Sequence, residues 1–414
     1  MSVGPILFGS SVLVAALSLM YMRMESLFNL SAPSVQTNSI FSSILASLFP
    51  NDETPAIAVR HPFGLSSTRT VPGNHSIISF PVDFSPLIID GVHNVPVQFA
   101  SSAGFKSLSQ EARTTISIAI YKTSNEEFTN ALSLLWKGVG VRPIPDTRWA
   151  RYRGVFSLSQ TSTGIEEIDR QVTKAHSVMS ECSAFLKQGS LQRIFRGLDE
   201  AELRWSWVFL NAYGVLLEGS KALVAPLVFA RRSFDPTRAA LVNTFQGTVS
   251  VSSSRKLDRG EEVLLYAADE LTDAFAFLFH GSWVADESVH RGKVWLALAG
   301  DSREQLVKSG CLGRDGKTQV TLSTDAGEQA AARERLRKCS QISVNGHEIT
   351  PAKEQRAVAK LIHAFEEELG RLQKQTSSDS ALEAVRFQYF NLLYTEFVFW
   401  TEEQERIRSK TIDL

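Results

Sequence analysis

Residues 255–281 read RKLDRGEEVLLYAADELTDAFAFLFHG and place a turn, a strand and a helix directly after one another. Charged residues and a glycine over residues 256–260 predict the turn. The apolar run Glu262–Tyr266 predicts a short strand. Residues 271–279 predict a helix, because one face carries four apolar side chains: Ala274, Phe275, Leu278 and Phe279.

This order resembles the closing segment of a SET domain, the fold of most protein lysine methyltransferases. It is most similar to the class that contains the Rubisco large-subunit methyltransferase and the actin-histidine methyltransferase. That class has Gly-Glu-x-Val/Ile, three residues, a catalytic Tyr, and Ser-Asn-Ala-Glu opening a helix that ends at a Gly. Residues 260–263 match the start, residues 272–275 (Thr-Asp-Ala-Phe) take the place of Ser-Asn-Ala-Glu, and Gly281 matches the closing Gly.

The catalytic Tyr position of this pattern then falls on Ala267, and the tyrosine that is present, Tyr266, comes one residue early. In a strand, a shift of one residue points the side chain to the opposite face. We therefore expect no catalytic residue here. Tyr266 is expected to be a vestigial candidate that is buried as a packing residue.

The opening of the same class is similar to residues 63–81, where Phe63-Gly64-Leu65 precede Pro72-Gly73 and a strand-like run from Ser76 to Phe80. In the class, a Gly-x-Gly-Leu turn lets the backbone approach S-adenosylmethionine closely, which a Cβ atom would prevent. The first Gly of that turn falls on Pro62 or Phe63 in this chain. The resemblance implies that Phe63, Gly64 and Leu65 are vestigial cofactor positions.

Two further motifs depart from the class where it binds the cofactor. Residues 204–213 resemble Arg-Trp-Ala-Trp followed by a closing Arg, which is Tyr213 here. Residues 222–233 resemble Leu-Val-Pro-x-x-Asp-x-x-Asn-His, with Phe229 at the Asp and Arg232-Ser233 at the Asn-His that holds the cofactor in active members. An insertion could have moved the motif instead, but the nearest Asn, Asn243, has no His beside it.

Residues 1–22 carry no charged side chain and end at Arg23. An apolar helix of about 18–20 residues crosses a hydrocarbon layer of ~30 Å. A secretory signal peptide is the competing interpretation, but its basic n-region is absent. A buried soluble helix is the third. We predict a retained transmembrane anchor over residues 1–24, which would place the chain in contact with membrane lipid.

Residues 25–56 form a linker rich in Ser, Asn and Pro. Within it, apolar residues from Ile40 to Phe49 recur at helical spacing after a capping pair, Asn38 and Ser39. This amphipathic helix either lies in the membrane interface or against a partner, or packs on the chain's own domain.

The remaining chain divides into two predicted domains, giving an α+β fold class. Residues 57–290 are expected to form a SET-type β fold with a helical insert at about 106–205. Residues 291–414 are expected to form an all-α domain that resembles the substrate-binding domain of the class. A stripe of period 3.6 from Ala357 to Leu372 and a final helix through Trp400 support that expectation.

Composition excludes several function classes. The chain has 414 residues, which suggests two to three domains, and a net charge of −1, which argues against a nucleic-acid partner. The spacing of Cys182, Cys311 and Cys339 supports neither a disulfide framework nor a zinc site. We expect free thiols in a reducing compartment or ordinary core residues, and no metal.

These departures predict a catalytically inactive SET-fold accessory or structural subunit of a membrane protein complex, with other subunits as partners and no cofactor. An organelle inner membrane, most simply the mitochondrial one with its respiratory chain, would suit such a subunit. The alternative is a membrane-anchored, S-adenosylmethionine-dependent protein lysine (or histidine) methyltransferase. A third hypothesis is a binding module that holds a peptide in the former substrate groove.

Overall fold

The computed structural model describes most of the chain after residue 55. The described residues are 56–59, 64–82, 88–124, 154–156, 158, 162–187, 198–233, 237–266, 272–280, 289–298, 303–313, 315–344, 350–375 and 380–412. Among them, no helix is long and apolar enough to cross a membrane. The predicted anchor at residues 1–24 and the predicted helix at residues 38–49 lie outside them.

A seven-stranded sheet forms the centre of the SET-like region, in the order β1-β2-β10-β8-β9-β3, with β7 also paired to β10. Its strands are β1 (Ile57–Val59), β2 (Leu65–Ser67), β3 (Ser76–Pro81), β7 (Arg231–Ser233), β8 (Ala240–Phe245), β9 (Thr248–Ser253) and β10 (Glu262–Tyr266). Most pairs are antiparallel, but β10 runs parallel to β7 and β8. The strand predicted at residues 262–266 is confirmed as β10.

The described residues also form two smaller sheets. The first has the order β4-β6-β5 and consists of β4 (Ile88–Ile89), β5 (Val215–Leu217) and β6 (Ser220–Val224). The second pairs β11 (Arg291–Leu296) with β12 (Thr318–Ser323) in antiparallel register. The sequence analysis expected only helices after residue 290 and therefore missed this antiparallel pair.

Nine α-helices occur among the described residues. They are α1 (Ala103–Lys106), α2 (Gln110–Ser124), α3 (Glu166–Leu186), α4 (Glu200–Tyr213), α5 (Asp273–His280), α6 (Arg303–Lys308), α7 (Ala326–Ser343), α8 (Pro351–Gln373) and α9 (Ser380–Ile412). Short 3-10 turns occupy Val97–Phe99, Gly154–Phe156 and Ala225–Phe229. The mixture of a central sheet and helices confirms the α+β class. The predicted domain boundaries stay predictions.

Capping explains where several helices begin. The Asp199 side chain accepts a hydrogen bond from Glu202 N at the start of α4, and Asp325 does the same for Glu328 N at the start of α7. Thr350 caps α8, whose first residue is Pro351. Each cap satisfies one of the amide groups that the first helical turn leaves without an internal partner.

Aromatic side chains fill the core where helix α4 packs against helices α2, α3 and α5. Trp205 and Trp207 are completely buried in α4. Trp207 lies 5.5 Å from the ring of Phe279 in α5, and its Nε1 donates to Glu111 in α2 at 2.8 Å. Trp207 therefore joins α5, which follows strand β10, to helices α2 and α4.

One prediction about cysteines is wrong. Cys311 and Cys339 form a disulfide, with Cα atoms 5.5 Å apart, that joins the loop after α6 to helix α7. The two residues are separated by 28 positions, so no local spacing indicates the bond. Cys182 is a free, buried thiol, as expected for a core residue, and burial raises its pKa. The expectation of three free thiols in a reducing compartment therefore fails for two of them.

Candidate functional site

The positions singled out in the sequence converge on strand β10. Strand β2 pairs with the first residues of β10, with Leu65 opposite Val263. Strand β7 pairs with the last three residues of β10, with Arg232 opposite Leu265 and Ser233 opposite Tyr266. The structure thus brings together segments about 200 residues apart in the chain, as the resemblance to the SET class implies. Phe63 and Ala267 lie outside the described residues.

The Arg232 side chain is hydrogen-bonded to the main chain at the end of helix α4. Its Nη2 donates to the carbonyl oxygen of Tyr213 at 2.7 Å and to that of Gly214 at 2.8 Å. Hydrogen bonds from a charged donor stabilise a folded protein by about 1.5–3 kcal/mol each. Two residues that depart from the class motifs, Arg232 and Tyr213, are therefore in direct contact.

The other side chains at this corner are bulky and apolar. Phe229, at the position of the class Asp, is 1% exposed. Tyr213, at the position of the closing Arg, is also buried, and its ring centroid lies 5.2 Å from that of Phe209. The corner offers aromatic rings and an engaged guanidinium where the class has Arg, Asp and Asn.

The glycine turn before β2 is packed against the same strand. Gly64 has φ +154°, and a Cβ atom built there would lie 3.2 Å from Glu262 Oε1. Glu262 in turn forms an ion pair with Arg231, 3.1 Å apart. The absence of a Cβ atom at Gly64 therefore lets the Glu262 side chain lie close to the backbone before β2. Leu65 beside it is completely buried.

Tyr266 is not the buried packing residue that the sequence analysis predicts. Along β10, Val263 and Leu265 are buried, whereas Tyr266 lies on the opposite face and is 38% exposed. The alternation of a strand accounts for the change of face, as predicted. The prediction of burial is wrong, because Tyr266 keeps 38% of its surface exposed on the face opposite to the buried Val263 and Leu265. The burial of a strand's second face depends on tertiary packing, which the local pattern does not contain.

A buried polar junction lies at the start of α5, and the sequence analysis missed it. Thr272 Oγ1 donates to Glu167 Oε1 at 2.6 Å and accepts from Phe275 N at 3.1 Å, which caps the helix. Glu167 Oε2 accepts from Lys293 N in β11 at 2.9 Å. Burial raises the pKa of the Glu167 carboxyl. One carboxyl group thus joins α3, α5 and β11.

Asp273, the next residue, forms a second polar pair with His290. Asp273 Oδ2 lies 3.2 Å from His290 Nδ1, and the Asp273 residue is only 2% exposed. Burial raises the pKa of Asp273 to about 6. The two residues are 17 positions apart, so only the folded chain reveals the pair.

The described residues contain no group of three or more His, Cys, Asp or Glu side chains that could hold a metal ion. The prediction that the protein has no metal concerns the whole chain and stays a prediction.

No family model and no curated protein matches the chain. Solved structures do resemble it. The SET domain of LSMT bound to MeLysine and AdoHcy has a TM-score of 0.57 and 12% identity, covering 91% of this chain and 94% of that chain. Rubisco LSMT bound to AdoMet has a TM-score of 0.54 and 12% identity, covering 90% and 93%. Rubisco LSMT bound to sinefungin and monomethyllysine has a TM-score of 0.54 and 14% identity, covering 91% and 93%. At such identities the likeness concerns the fold.

Proposed function

Because this chain has the SET-domain fold of the Rubisco large-subunit methyltransferase, we propose that it is a SET-fold protein that does not transfer methyl groups. It acts as an accessory or structural subunit of a membrane protein complex and contacts the other subunits. Fold alone does not decide function, so the proposal depends on the site.

One observation is the main support for the proposed loss of methyl transfer. The Arg232 guanidinium donates to the carbonyl oxygens of Tyr213 and Gly214, at the position where the class places the Asn that holds the cofactor. Displacing it would cost two charge-assisted hydrogen bonds. The buried ring of Phe229 replaces an Asp beside it. Both changes disfavour the polar ends of S-adenosylmethionine.

The membrane part of the proposal rests on sequence. Residues 1–22 carry no charge and are followed by Arg23, which favours a single-pass anchor over residues 1–24. A mitochondrial inner membrane would suit a subunit of an energy-converting assembly. Carbonate extraction should leave the full chain in the membrane pellet, whereas a chain lacking residues 1–24 should be released. Recovery of the full chain in the supernatant would overturn the anchor.

A membrane-anchored protein lysine (or histidine) methyltransferase is the second candidate. Two observations favour it. Tyr266 is 38% exposed and lies opposite Ser233 in the sheet, next to the strand that carries Arg232. Structures that resemble this chain hold AdoMet, AdoHcy, sinefungin or methylated lysine.

Calorimetric titration of the full chain with S-adenosylmethionine separates the two candidates. We expect no binding by the native chain. The matched variant Arg232→Asn removes the guanidinium and restores the class residue, so weak binding should appear there if the arginine is the obstacle. A single cooperative thermal transition in each protein would show that both are folded, with the variant melting at a lower temperature because it lacks the two hydrogen bonds of Arg232. A dissociation constant in the low micromolar range for the native chain would overturn the proposal.

A further inference from the structure

The outward face of strands β8 and β9 exposes apolar side chains. Leu241 is 39% exposed and Phe245 is 71% exposed, at the two ends of β8. In the antiparallel register they lie opposite hydroxyl residues of β9, and side chains that lie directly opposite each other share a face. We call this surface the open sheet face, and it consists of Leu241, Asn243, Phe245, Thr248, Ser250 and Ser252.

The open sheet face is uncharged. Residues 239–254, which contain β8, β9 and their turn, have no charged side chain, although 21% of the whole chain is charged. Residues 76–81, which form β3 on the other side of β9, also have none. Exposed strands commonly carry charged side chains, which protect them from unwanted association. Uncharged surfaces with exposed apolar residues are typical of the buried part of an interface.

Residues 38–49, which lie outside the described residues, match this chemistry. No residue from 26 to 51 is charged. The helix that the sequence predicts for residues 38–49 has six apolar side chains on one side, and Ser42 and Ser47 border that side at 100° per residue. Its apolar side can therefore cover Leu241 and Phe245, while its serine hydroxyls meet the hydroxyl groups of β9.

The described chain begins beside this face. Ala56 N donates to the carbonyl oxygen of Ile77 in β3 at 3.1 Å. Strand β3 is the neighbour of β9, and β8 comes next. Neighbouring strands are about 4.8 Å apart, so β8 lies about 10 Å from β3. Six residues, 50–55, connect the predicted helix to Ala56, and six residues reach up to about 20 Å. The predicted helix can therefore reach β8.

The lengths of the two surfaces agree. In the register of the three strands, Ala56 lies at the Leu241 end of the open sheet face. Leu241 and Phe245 are separated by four strand residues, or about 13 Å. Phe41 and Phe49 are separated by eight helical residues, or about 12 Å. The short connection places Phe49 near Leu241, which leaves Phe41 near Phe245.

We propose that residues 38–49 form a helix that docks on the open sheet face of its own chain, with the last turn over Leu241 and the first turn over Phe245. A membrane interface suits this helix less well, because interfacial helices carry Lys or Arg on the polar side. A partner protein or a second copy would compete with a helix that a short linker holds at millimolar effective concentration. The inference does not depend on whether the chain transfers methyl groups.

The test measures distances between two nitroxide labels by double electron–electron resonance, on the full chain in phosphatidylcholine nanodiscs. One label is attached to the helix, at Ser39→Cys or Ala46→Cys. The other is attached at an exposed end of the sheet face, at His75→Cys on the Leu241 side or at Gln246→Cys after Phe245. The native cysteines do not interfere, because one is buried and the other two are joined.

Docking predicts narrow distance distributions in a crossed order. Gln246 should be nearer to Ser39 than to Ala46. His75 should be nearer to Ala46 than to Ser39. Each difference should be at most about 10 Å, the length of seven helical residues. A helix that is held only by its linker would instead give broad distributions to both ends of the face.

Substitutions on the face and on the helix should abolish the narrow distances. We expect this loss in Leu241→Gln with Phe245→Gln, and separately in Ile44→Asn with Leu48→Asn, since each pair removes apolar contacts from one of the two surfaces. The matched control is Phe387→Gln, which changes a 63% exposed aromatic residue of helix α9 and should leave every distance unchanged. Leu241, Phe245 and Phe387 are exposed, so these variants should remain folded in thermal melts.

Four outcomes would overturn the proposal. The first is a broad distribution for every label pair in the chain without substitutions on the two surfaces. The second is the same loss of narrow distances in the Phe387→Gln control. The third is the loss of narrow distances on dilution with unlabelled chain, which would assign the contact to a second copy. The fourth is stronger relaxation of the Ala46 label by oxygen dissolved in the bilayer than by an aqueous nickel chelate, which would assign the helix to the membrane.

Discussion

Replacement of Glu167 should separate the contribution of one buried carboxyl group from that of the side-chain volume. Both oxygens of Glu167 accept hydrogen bonds, from Thr272 Oγ1 at 2.6 Å and from Lys293 N at 2.9 Å. In Glu167→Gln, the side-chain oxygen can still accept the hydrogen bond from Lys293 N. The NH2 group then faces Thr272 Oγ1 and cannot accept its hydrogen bond. One lost bond predicts a decrease of about 1–2 kcal/mol in the free energy of unfolding.

The change Glu167→Ala should cost more. It leaves the Lys293 amide without its acceptor and opens a cavity, because Glu167 is only 5% exposed. An unsatisfied buried donor costs about 1–3 kcal/mol, and the lost packing adds to it, so the sum is about 3–5 kcal/mol. The expected order, with Glu167→Ala less stable than Glu167→Gln, is a stricter test than either free energy alone. The two variants differ in only one side chain, so most errors of the unfolded state cancel between them.

Urea unfolding followed by circular dichroism measures both variants. The matched control is Glu304→Gln, since Glu304 is 81% exposed and its ion pair with Lys308 lies on the surface. That change should stay within about 0.5 kcal/mol of the native chain. The reasoning would be refuted if Glu167→Ala were as stable as the control, or if Gln and Ala had equal effects.

Three more changes should have measurable effects. Gly292→Ala should destabilise the chain by several kcal/mol in thermal melts, because the new Cβ would lie 2.5 Å from the Tyr389 ring; full stability would contradict this. The folded pKa of Asp273, about 6, exceeds its usual 3.8, so its contribution to stability is lost as pH rises across that window. Asp273→Asn should therefore reduce the fall in the free energy of unfolding between about pH 4 and pH 6. An unchanged slope of that free energy against pH would contradict the assignment to Asp273. Reduction of Cys311–Cys339, which are 28 residues apart, should lower the free energy of unfolding by about 3–4 kcal/mol, and the double Ser variant should no longer respond to reductant.

Local patterns predicted the elements whose information is local. Strand β10 follows from the apolar run at residues 262–266, and helix α5 from the spacing of Ala274, Phe275, Leu278 and Phe279. The strand β12 also had a local signal, because Val320 and Leu322 alternate with polar residues in a run rich in Thr. This signal was not used, because the sequence analysis expected a purely helical region after residue 290.

The contacts that the sequence did not predict join distant parts of the chain. Glu167 and Thr272 are 105 residues apart, and Cys311 and Cys339 approach only because α6 and α7 pack together. The exposure of Tyr266 depends on what covers one face of a sheet. The position of Arg232 was predictable from the motif, but its bonds to Tyr213 and Gly214 required the turn after α4.

The place of β10 between β2 and β8 has a consequence for how the chain is made. Leu65 pairs with Val263, so a ribosome must add about 200 residues before β2 can meet this neighbour, which takes about 10–40 s. During that time the backbone groups on the β10-facing edge of β2 have no strand partner. A nascent chain with such an exposed strand edge is a substrate for chaperones. For the same reason, a chain that stops before residue 262 should lack the strand that joins β2 to β8.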